Sequence, residues 1–227
     1  MNSGDYPQPH VISRRALVLG AVSAGVLARP SAAQFSTDVM LRGTPQLTTG
    51  PFYPVLRSLD KDADLTTIRG HGGVAKGRII DIAGRILTEG GRPVEGAKLD
   101  LWQANAYGRY DHPADPSKAP LDPAFQGAAV LTTDKDGRFR FRTILPAPYG
   151  NRARHIHFDV MGHRRRLVTQ MFFPGERNED DRLFQNIFTQ AQKQAAVARF
   201  APTPTDEGTP LYVWDVVLVG EPDKPSA

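Results

Sequence analysis

Short segments of alternating apolar and polar residues, separated by turns rich in glycine and proline, constrain the fold of this chain most strongly. Such alternation has the two-residue period of a half-buried β-strand. Glycine and proline supply 21 and 19 of the 227 residues, a content that is high for a helical bundle and typical of a turn-rich β-protein. We therefore predict an all-β fold, a β-sandwich of mixed and antiparallel strands.

The segments can be assigned individually. Residues 129–133 and 138–142 flank an Asp-Lys-Asp-Gly turn and predict a hairpin. Apolar residues at helical spacing predict one helix, in the C-terminal half, over residues 181–200. The remaining predicted strands cover residues 78–87, 97–102, 155–160, 167–173 and 211–219.

The N-terminal residues have the layout of a targeting segment. Arg14 and Arg15 precede an apolar stretch, residues 16–28, and small residues follow at 31–33. This layout predicts a twin-arginine-type signal peptide over residues 1–33 and export to the periplasm or the cell exterior. Because the apolar stretch is shorter than the roughly 20 residues of a membrane span, we expect no stable membrane insertion.

The rest of the chain divides at residue 76. Residues 34–76 contain several prolines and glycines and predict an extended N-terminal arm, and residues 77–227 form the predicted sandwich domain. The formal net charge of +4 falls to +2 without the signal, which holds three arginines and one aspartate. With Arg164–Arg166 as the one basic run, we expect no nucleic-acid partner.

Cysteine is excluded as a metal ligand, because the chain has none. His155 and His157 stand two residues apart in a predicted strand and so point to the same face. This pair alone is weak evidence for a metal site, since most such pairs are surface or core residues. Tyr110 and Tyr149 add phenolate oxygens, hard anionic donors that favour Fe(III) over Zn(II). The pattern predicts a non-haem Fe(III) site.

Several motifs resemble those of the intradiol ring-cleavage dioxygenases. Residues 102–110, WQANAYGRY, resemble the motif that carries the first iron ligand in that family. Residues 148–158 resemble the motif with the other three ligands, and residues 167–173 the strand that follows. Residues 48–54, TTGPFYP, resemble the N-terminal segment of the family. The similarity covers about residues 45–220, nearly the whole chain after the signal.

This resemblance implies a reaction and a set of metal ligands. Fe(III) would be held by Tyr110 and His155 in the equatorial plane and by Tyr149 and His157 on the axis. The family uses O2 to cleave a catechol-type ring to a cis,cis-muconate, and both oxygen atoms enter the product. The substrate would be protocatechuate, hydroxyquinol or a related catechol.

The resemblance also implies roles beyond metal binding. Tyr149 would accept a proton from the substrate, Arg152 would stabilise negative charge, and Gln170 would orient Arg152. Aromatic side chains commonly line such clefts, so we predict substrate contacts by Phe52, Tyr53 and Tyr107. Arg154 is the fourth predicted substrate contact. Arg154 departs from the small residue or proline that is common in the family, and its charge would favour an anionic substrate.

Other interpretations remain. Residues 77–101 also resemble transthyretin-like modules, which are β-sandwiches that bind without catalysis. An iron-free partner subunit of the dioxygenase family is a further alternative, although the four candidate ligands argue against it. A cupin-type Fe(II) site is excluded, because no glutamate follows His157 before Glu176. The apolar segment 211–219 and the extended arm are compatible with a homo-oligomer.

Overall fold

Two β-sheets form the part of the chain that the computed structural model describes, residues 41–55, 62–205 and 208–223. The four-stranded sheet is antiparallel, in the order β3 (Ala128–Thr132), β2 (Lys98–Trp102), β5 (His155–Met161), β6 (Arg166–Phe172). The five-stranded sheet runs β4 (Arg138–Ile144), β1 (Ile79–Thr88), β8 (Leu211–Val213), β7 (Arg199–Phe200), and β9 (Val216–Leu218) also pairs with β1. The predicted all-β sandwich is confirmed.

The core lies between the sheets and follows the two-residue period of the strands. Ile82 and Phe141 face inward from the five-stranded sheet, and Leu101 and Phe158 face inward from the other. Full burial of side chains of this size contributes roughly 1.5–3 kcal/mol each. The same alternation along β5 places His155 and His157 on the outer face of the four-stranded sheet.

The predicted hairpin of residues 129–142 is wrong. β3 pairs with β2 in one sheet, whereas β4 pairs with β1 in the other, so the intervening turn crosses between the sheets. The turn itself is tight, because the Gly137 amide donates to the Asp134 carbonyl at 2.9 Å. The Ile86 amide, however, donates to the Gly137 carbonyl at 2.8 Å and so ties the turn to β1.

The single helix predicted over residues 181–200 is also interrupted. The structure has a 3-10 turn at Asn178–Asp180, then α1 (Arg182–Gln185) and α2 (Gln190–Ala196). Asp181 caps α1, and the Thr189 hydroxyl caps α2 by accepting from the Gln192 amide at 3.1 Å. A second capping residue begins a new helix, which a periodicity of apolar residues does not reveal.

The predicted strand 211–219 is divided into β8 and β9 at Trp214 and Asp215. The Trp214 carbonyl occupies the space beside Gly84 of β1, where a Cβ atom would lie 1.7 Å from that oxygen. Only glycine tolerates this approach, so the interruption lies opposite Gly84 in the sheet.

Residues 41–55 contain no helix or strand and are held by hydrogen bonds to both sheets. The Thr44 amide donates to the Val217 carbonyl at 3.1 Å, and the Leu47 amide donates to the Val168 carbonyl at 2.8 Å. This part of the predicted arm therefore reaches the outer face of the four-stranded sheet. Among the described residues, no helix is long and apolar enough to cross a membrane. The predicted signal, residues 1–33, lies outside the described residues.

Candidate metal centre

Two imidazoles meet at the start of β5. The Nε2 atoms of His155 and His157 lie 3.1 Å apart, and both side chains are buried. Two nitrogen ligands at right angles around one ion, each about 2.1 Å from it, would be separated by about 3.0 Å. The strand geometry therefore presents the two nitrogens at a separation that suits one shared metal ion.

The orientation of each imidazole is fixed by its neighbours. The Nδ1 atom of His155 lies 2.6 Å from the Ala153 carbonyl, so Nδ1 donates and Nε2 keeps its lone pair. The His157 ring stacks on Trp102, with the ring centroids 4.9 Å apart and the planes at 7°. Burial, followed by the Arg152 cation, lowers the pKa of His155 to about 3. Burial also lowers the pKa of His157, with contributions from His155 and Arg152. Both rings are thus neutral and available as ligands.

Two tyrosines reach the imidazoles from separate loops. The Tyr149 hydroxyl lies 3.4 Å from Nε2 of His155, and the Tyr149 ring meets the Tyr110 ring edge-on at 5.4 Å. The Tyr110 amide donates to the Asp115 carboxylate at 2.7 Å, which fixes its loop. The two loops touch at Gly108, where a Cβ atom would lie 2.7 Å from the Pro148 carbonyl oxygen. The two loops therefore approach closely at Gly108, where a larger residue would clash with the Pro148 carbonyl.

The environment of the two phenols favours a bound cation. Burial, together with the neighbouring Tyr149, raises the pKa of Tyr110 well above its ordinary value. Within the described residues the buried Tyr110 hydroxyl makes no hydrogen bond of regular geometry. Burial also raises the pKa of Tyr149, which the nearby Tyr110 hydroxyl and the Arg152 guanidinium partly offset by favouring the phenolate. A metal cation would supply both the missing partner and the charge that a buried phenolate needs.

A buried hydrogen-bond network holds Arg152, one of the three predicted catalytic residues. Its Nε donates to the Asp181 carboxylate at 2.8 Å, and its Nη2 donates to the Gln170 amide oxygen at 2.5 Å. The Gln170 amide nitrogen donates in turn to the Thr48 carbonyl at 2.9 Å. The structure therefore places Gln170 where it orients Arg152 and also binds the N-terminal arm.

Asp181 is a site residue that the sequence analysis missed. It is fully buried and joins two elements, because one oxygen accepts from Arg152 and the Ala153 amide while the other accepts from the Leu183 and Phe184 amides. Its position at the start of the predicted helix was the available signal, since aspartate is a favoured N-cap. That pattern does not reveal the partnership with Arg152, which stands 29 residues earlier.

The N-terminal arm passes close to the His157 imidazole. Gly50 has a φ of 67°, and a Cβ atom there would lie 3.1 Å from Cε1 of His157 and 3.7 Å from its Nε2. The absence of a side chain at this position is therefore what leaves room for the His157 ring. The sequence motif at residues 48–54 included Gly50 without indicating this contact.

The four predicted substrate contacts differ in position. The Phe52 ring lies 5.0 Å from the Tyr110 ring and 6.2 Å from the Tyr149 ring, and it borders a cavity of about 290 Å³ that Tyr110 and Trp102 also line. The Tyr53 ring packs on the edge of Trp102 at 4.9 Å, and its hydroxyl donates to Asp100 at 2.6 Å. Phe52 and Tyr53 thus lie beside the group of two tyrosines and two histidines.

The other two predicted substrate contacts are Tyr107 and Arg154. Tyr107 lies in the loop before Tyr110 and is about half exposed, at 46%. The Arg154 guanidinium donates to Glu176 at 3.0 Å and to the Pro146 carbonyl at 2.6 Å. Their substrate roles stay predictions. In the described residues no group of three or more His, Cys, Asp or Glu side chains could hold a metal, so a metal centre here depends on the tyrosines.

Comparisons with known proteins point to one enzyme family. A family model described as "Dioxygenase" matches residues 48–220. The chain is 43% identical over 175 residues to the protocatechuate 3,4-dioxygenase beta chain of Burkholderia cepacia, which covers 72% of this chain and 74% of that protein. It is 30% identical over 184 residues to catechol 1,2-dioxygenase 1 of Acinetobacter lwoffii, which covers 68% of this chain but only 52% of that protein.

The fold has close counterparts among solved structures. The dioxygenase domain of a dioxygenase and carbohydrate-binding protein fusion from Streptomyces sp. SirexAA-E matches with a TM-score of 0.60 at 28% identity, covering 78% of this chain and 99% of that domain. The family model covers most of the chain, and the beta-chain relative exceeds 40% identity over most of both proteins. This chain belongs to the intradiol ring-cleavage dioxygenase family.

Proposed function

We propose that the protein is a non-haem Fe(III)-dependent dioxygenase that cleaves a catechol-type aromatic with O2, between the two hydroxyl-bearing carbons, to a cis,cis-muconate-type product. The observation that carries this proposal is the convergence of two phenols and two neutral imidazoles on one buried point. Its central measures are the 3.1 Å between the imidazole Nε2 atoms and the 3.4 Å from Tyr149 to His155.

The donor set fits Fe(III). Two phenolate oxygens are hard, anionic ligands, and two imidazole nitrogens complete a set that suits iron better than a soft metal. We assign Tyr110, Tyr149, His155 and His157 as the four ligands. When bound, the ion would act as a Lewis acid that holds the catechol oxygens as a chelate and activates the ring toward O2.

The protein's own side chains would manage protons and charge around that ion. Tyr149 is the less buried of the two phenols; burial raises its pKa, while Tyr110 and the Arg152 cation act in the opposite direction and favour the phenolate. Its hydroxyl oxygen is thus suited to accept a proton from a catechol hydroxyl. Arg152, held in place by Asp181 and Gln170, would stabilise negative charge that develops on the substrate during ring cleavage.

The space beside the phenols supports an aromatic substrate. Phe52 offers a flat aromatic surface next to Tyr110 and Tyr149, which would pack against a single aromatic ring. We propose Phe52, Tyr53 and Tyr107 as residues that select among protocatechuate, hydroxyquinol and related catechols, whereas the Arg154 guanidinium is bound to Glu176 and the Pro146 carbonyl. We also propose that residues 1–33 direct export through a twin-arginine signal, and that the protein assembles as a homo-oligomer.

The iron-free partner subunit remains the principal alternative. A relative that is named as a beta chain belongs to a protein with more than one type of chain, and such proteins can divide catalysis and support between chains. An iron-free role would leave the buried Tyr110 hydroxyl and the paired imidazole nitrogens without a purpose. The alternative predicts a colourless protein without iron.

Oxygen consumption by the purified protein tests the proposal. A panel of catechol, protocatechuate and hydroxyquinol should include a substrate that is consumed with one O2 per ring, and mass spectrometry with ¹⁸O2 should find both atoms in a muconate-type product. His157→Ala should abolish this uptake and remove iron. A wild-type protein that retains iron yet consumes no O2 with any member of the panel would contradict the proposal.

A further inference from the structure

Arg154 makes two contacts that the proposed reaction does not use. It is the last residue before β5 and directly precedes His155. Its Nε donates to the Glu176 carboxylate at 3.0 Å, and its Nη1 donates to the Pro146 carbonyl at 2.6 Å. The Arg154 side chain is 27% exposed and that of Glu176 is 34% exposed, so this pair is partly shielded from solvent.

The Pro146 carbonyl belongs to the segment that carries Tyr149. Backbone hydrogen bonds anchor the residues on either side of Pro146. The Leu145 amide donates to the Arg78 carbonyl at 2.8 Å, and the Ala147 amide donates to the Asn105 carbonyl at 3.1 Å. Pro146 is itself buried and has no amide hydrogen to donate. Arg154 supplies the bond at this position, three residues before Tyr149.

Glu176 extends the same connection to the loop after β6. A guanidinium can bind two partners at once because its donors are held in a rigid fork, whereas a lysine ammonium is a flexible point charge. Arg154 therefore links three segments: the start of β5, the turn before Tyr149 and the loop at Glu176. Loss of the arginine would loosen the turn, which then keeps the backbone bonds at Leu145 and Ala147, while His155 stays fixed by its pairing with Phe172 in the sheet.

We propose that Arg154 is a positioning residue that fixes the backbone from which Tyr149 reaches the metal centre. This inference rests on the proposed function, in which Tyr149 both binds the metal and accepts a proton. Since Tyr149 would serve both roles, its backbone must stay fixed, so that side-chain rotation alone sets the position of the phenol oxygen. Misplacement of a reacting group by about 1 Å can cost about a hundredfold in rate.

The test compares four variants. Arg154→Ala removes both contacts, Arg154→Lys keeps the charge but not the fork, and Glu176→Gln keeps the Pro146 contact. Arg177→Ala is the matched control, since Arg177 is a neighbouring arginine whose ion pair with Asp180 is largely exposed. Each variant is measured for iron content, visible absorption, kcat and KM on catechol and on a carboxylated catechol, and amide hydrogen exchange at residues 145–152.

The expected result is specific to Tyr149. Arg154→Ala should keep its iron, shift the phenolate absorption band and lower kcat about tenfold or more on both substrates, with KM changed less than about threefold. Hydrogen exchange at the Ala147 and Arg152 amides should become severalfold faster. Arg154→Lys should resemble Arg154→Ala, Glu176→Gln should show a smaller effect, and Arg177→Ala should match the wild type.

Three outcomes would overturn the inference. A rise in KM confined to the carboxylated substrate would make Arg154 a substrate contact instead. Full rescue by Arg154→Lys would show that charge alone matters. Unchanged absorption, kcat and exchange in Arg154→Ala, even with lower thermal stability, would leave only a structural role. If the wild type holds no iron and consumes no O2, the proposed function fails, and hydrogen exchange alone then decides whether Arg154 fixes the turn.

Discussion

Replacement of Gly50 by alanine tests how closely the N-terminal arm fits over the metal centre. Gly50 has a φ of 67°, a left-handed conformation that residues with a Cβ atom rarely adopt. The new Cβ would also lie 3.1 Å from Cε1 of His157, so the arm or the imidazole must move by a few tenths of an ångström. The substitution thus combines backbone strain with a displacement at one proposed ligand.

The two effects have different magnitudes and different controls. A left-handed conformation costs a non-glycine residue about 1–2 kcal/mol. For a protein of this size, that corresponds to a fall in Tm of about 2–8 °C. Gly96→Ala is the matched control, because Gly96 has a φ of 68° and a Cβ atom there would have no neighbour within 4 Å. Displacement of a group that supports a metal ligand typically costs about 10–100-fold in metal affinity or activity.

Thermal unfolding, iron content and oxygen uptake of the two variants separate these effects. We expect both variants to lose stability by similar amounts, and only Gly50→Ala to lose iron affinity or kcat by about tenfold or more. If Gly50→Ala retains iron and kcat as well as Gly96→Ala does, the arm does not constrain His157, and the proposed arrangement of the site is wrong in this respect.

Two further substitutions test the charges that the structure buries. Asp181→Asn should destabilise the protein by about 3–5 kcal/mol, because it leaves the Arg152 guanidinium without its buried counter-ion, and kcat should fall with it; an unfolding free energy within about 1 kcal/mol of the wild type would contradict this. Burial alone would raise the pKa of Asp81, but hydrogen bonds from Arg142 and Arg140 outweigh it and lower the pKa. This depressed pKa contributes stability that is fully present above the unfolded value of about 4 and is lost as the pH falls through the folded value. Asp81→Asn should therefore flatten the acid side of the stability profile, and an unchanged slope in denaturant titrations between pH 2 and pH 5 would refute the assignment.

The sequence predicted the elements that depend on local pattern. The alternation in β5 placed His155 and His157 on one face because successive side chains in a strand point to opposite sides. The two tyrosines came from motifs, and the structure brings their rings within 5.4 Å of each other. For the two histidines, spacing along the strand was sufficient to predict proximity in the fold, whereas for the two tyrosines the prediction depended on the resemblance to the family.

Contacts between distant segments could not be predicted in the same way. The turn at Asp134–Gly137 looks like a hairpin turn, but its two strands pair with β2 and β1 in different sheets, and Ile86, far away in the chain, binds the Gly137 carbonyl. Asp181 looks like a helix cap, and its second role depends on where Arg152 arrives from another loop. A pattern of local propensities contains no information about these pairings.

Iron content and visible absorption of the purified protein test the central claim most directly. We predict about one ferric ion per chain and a phenolate-to-iron absorption band, with resonance Raman bands of coordinated tyrosinate. Tyr110→Phe and Tyr149→Phe should each change that band, because each removes one phenolate from the pair whose rings lie 5.4 Å apart. A colourless wild-type protein without iron, or a band that is unchanged in both variants, would contradict the assignment of this site as a ferric centre.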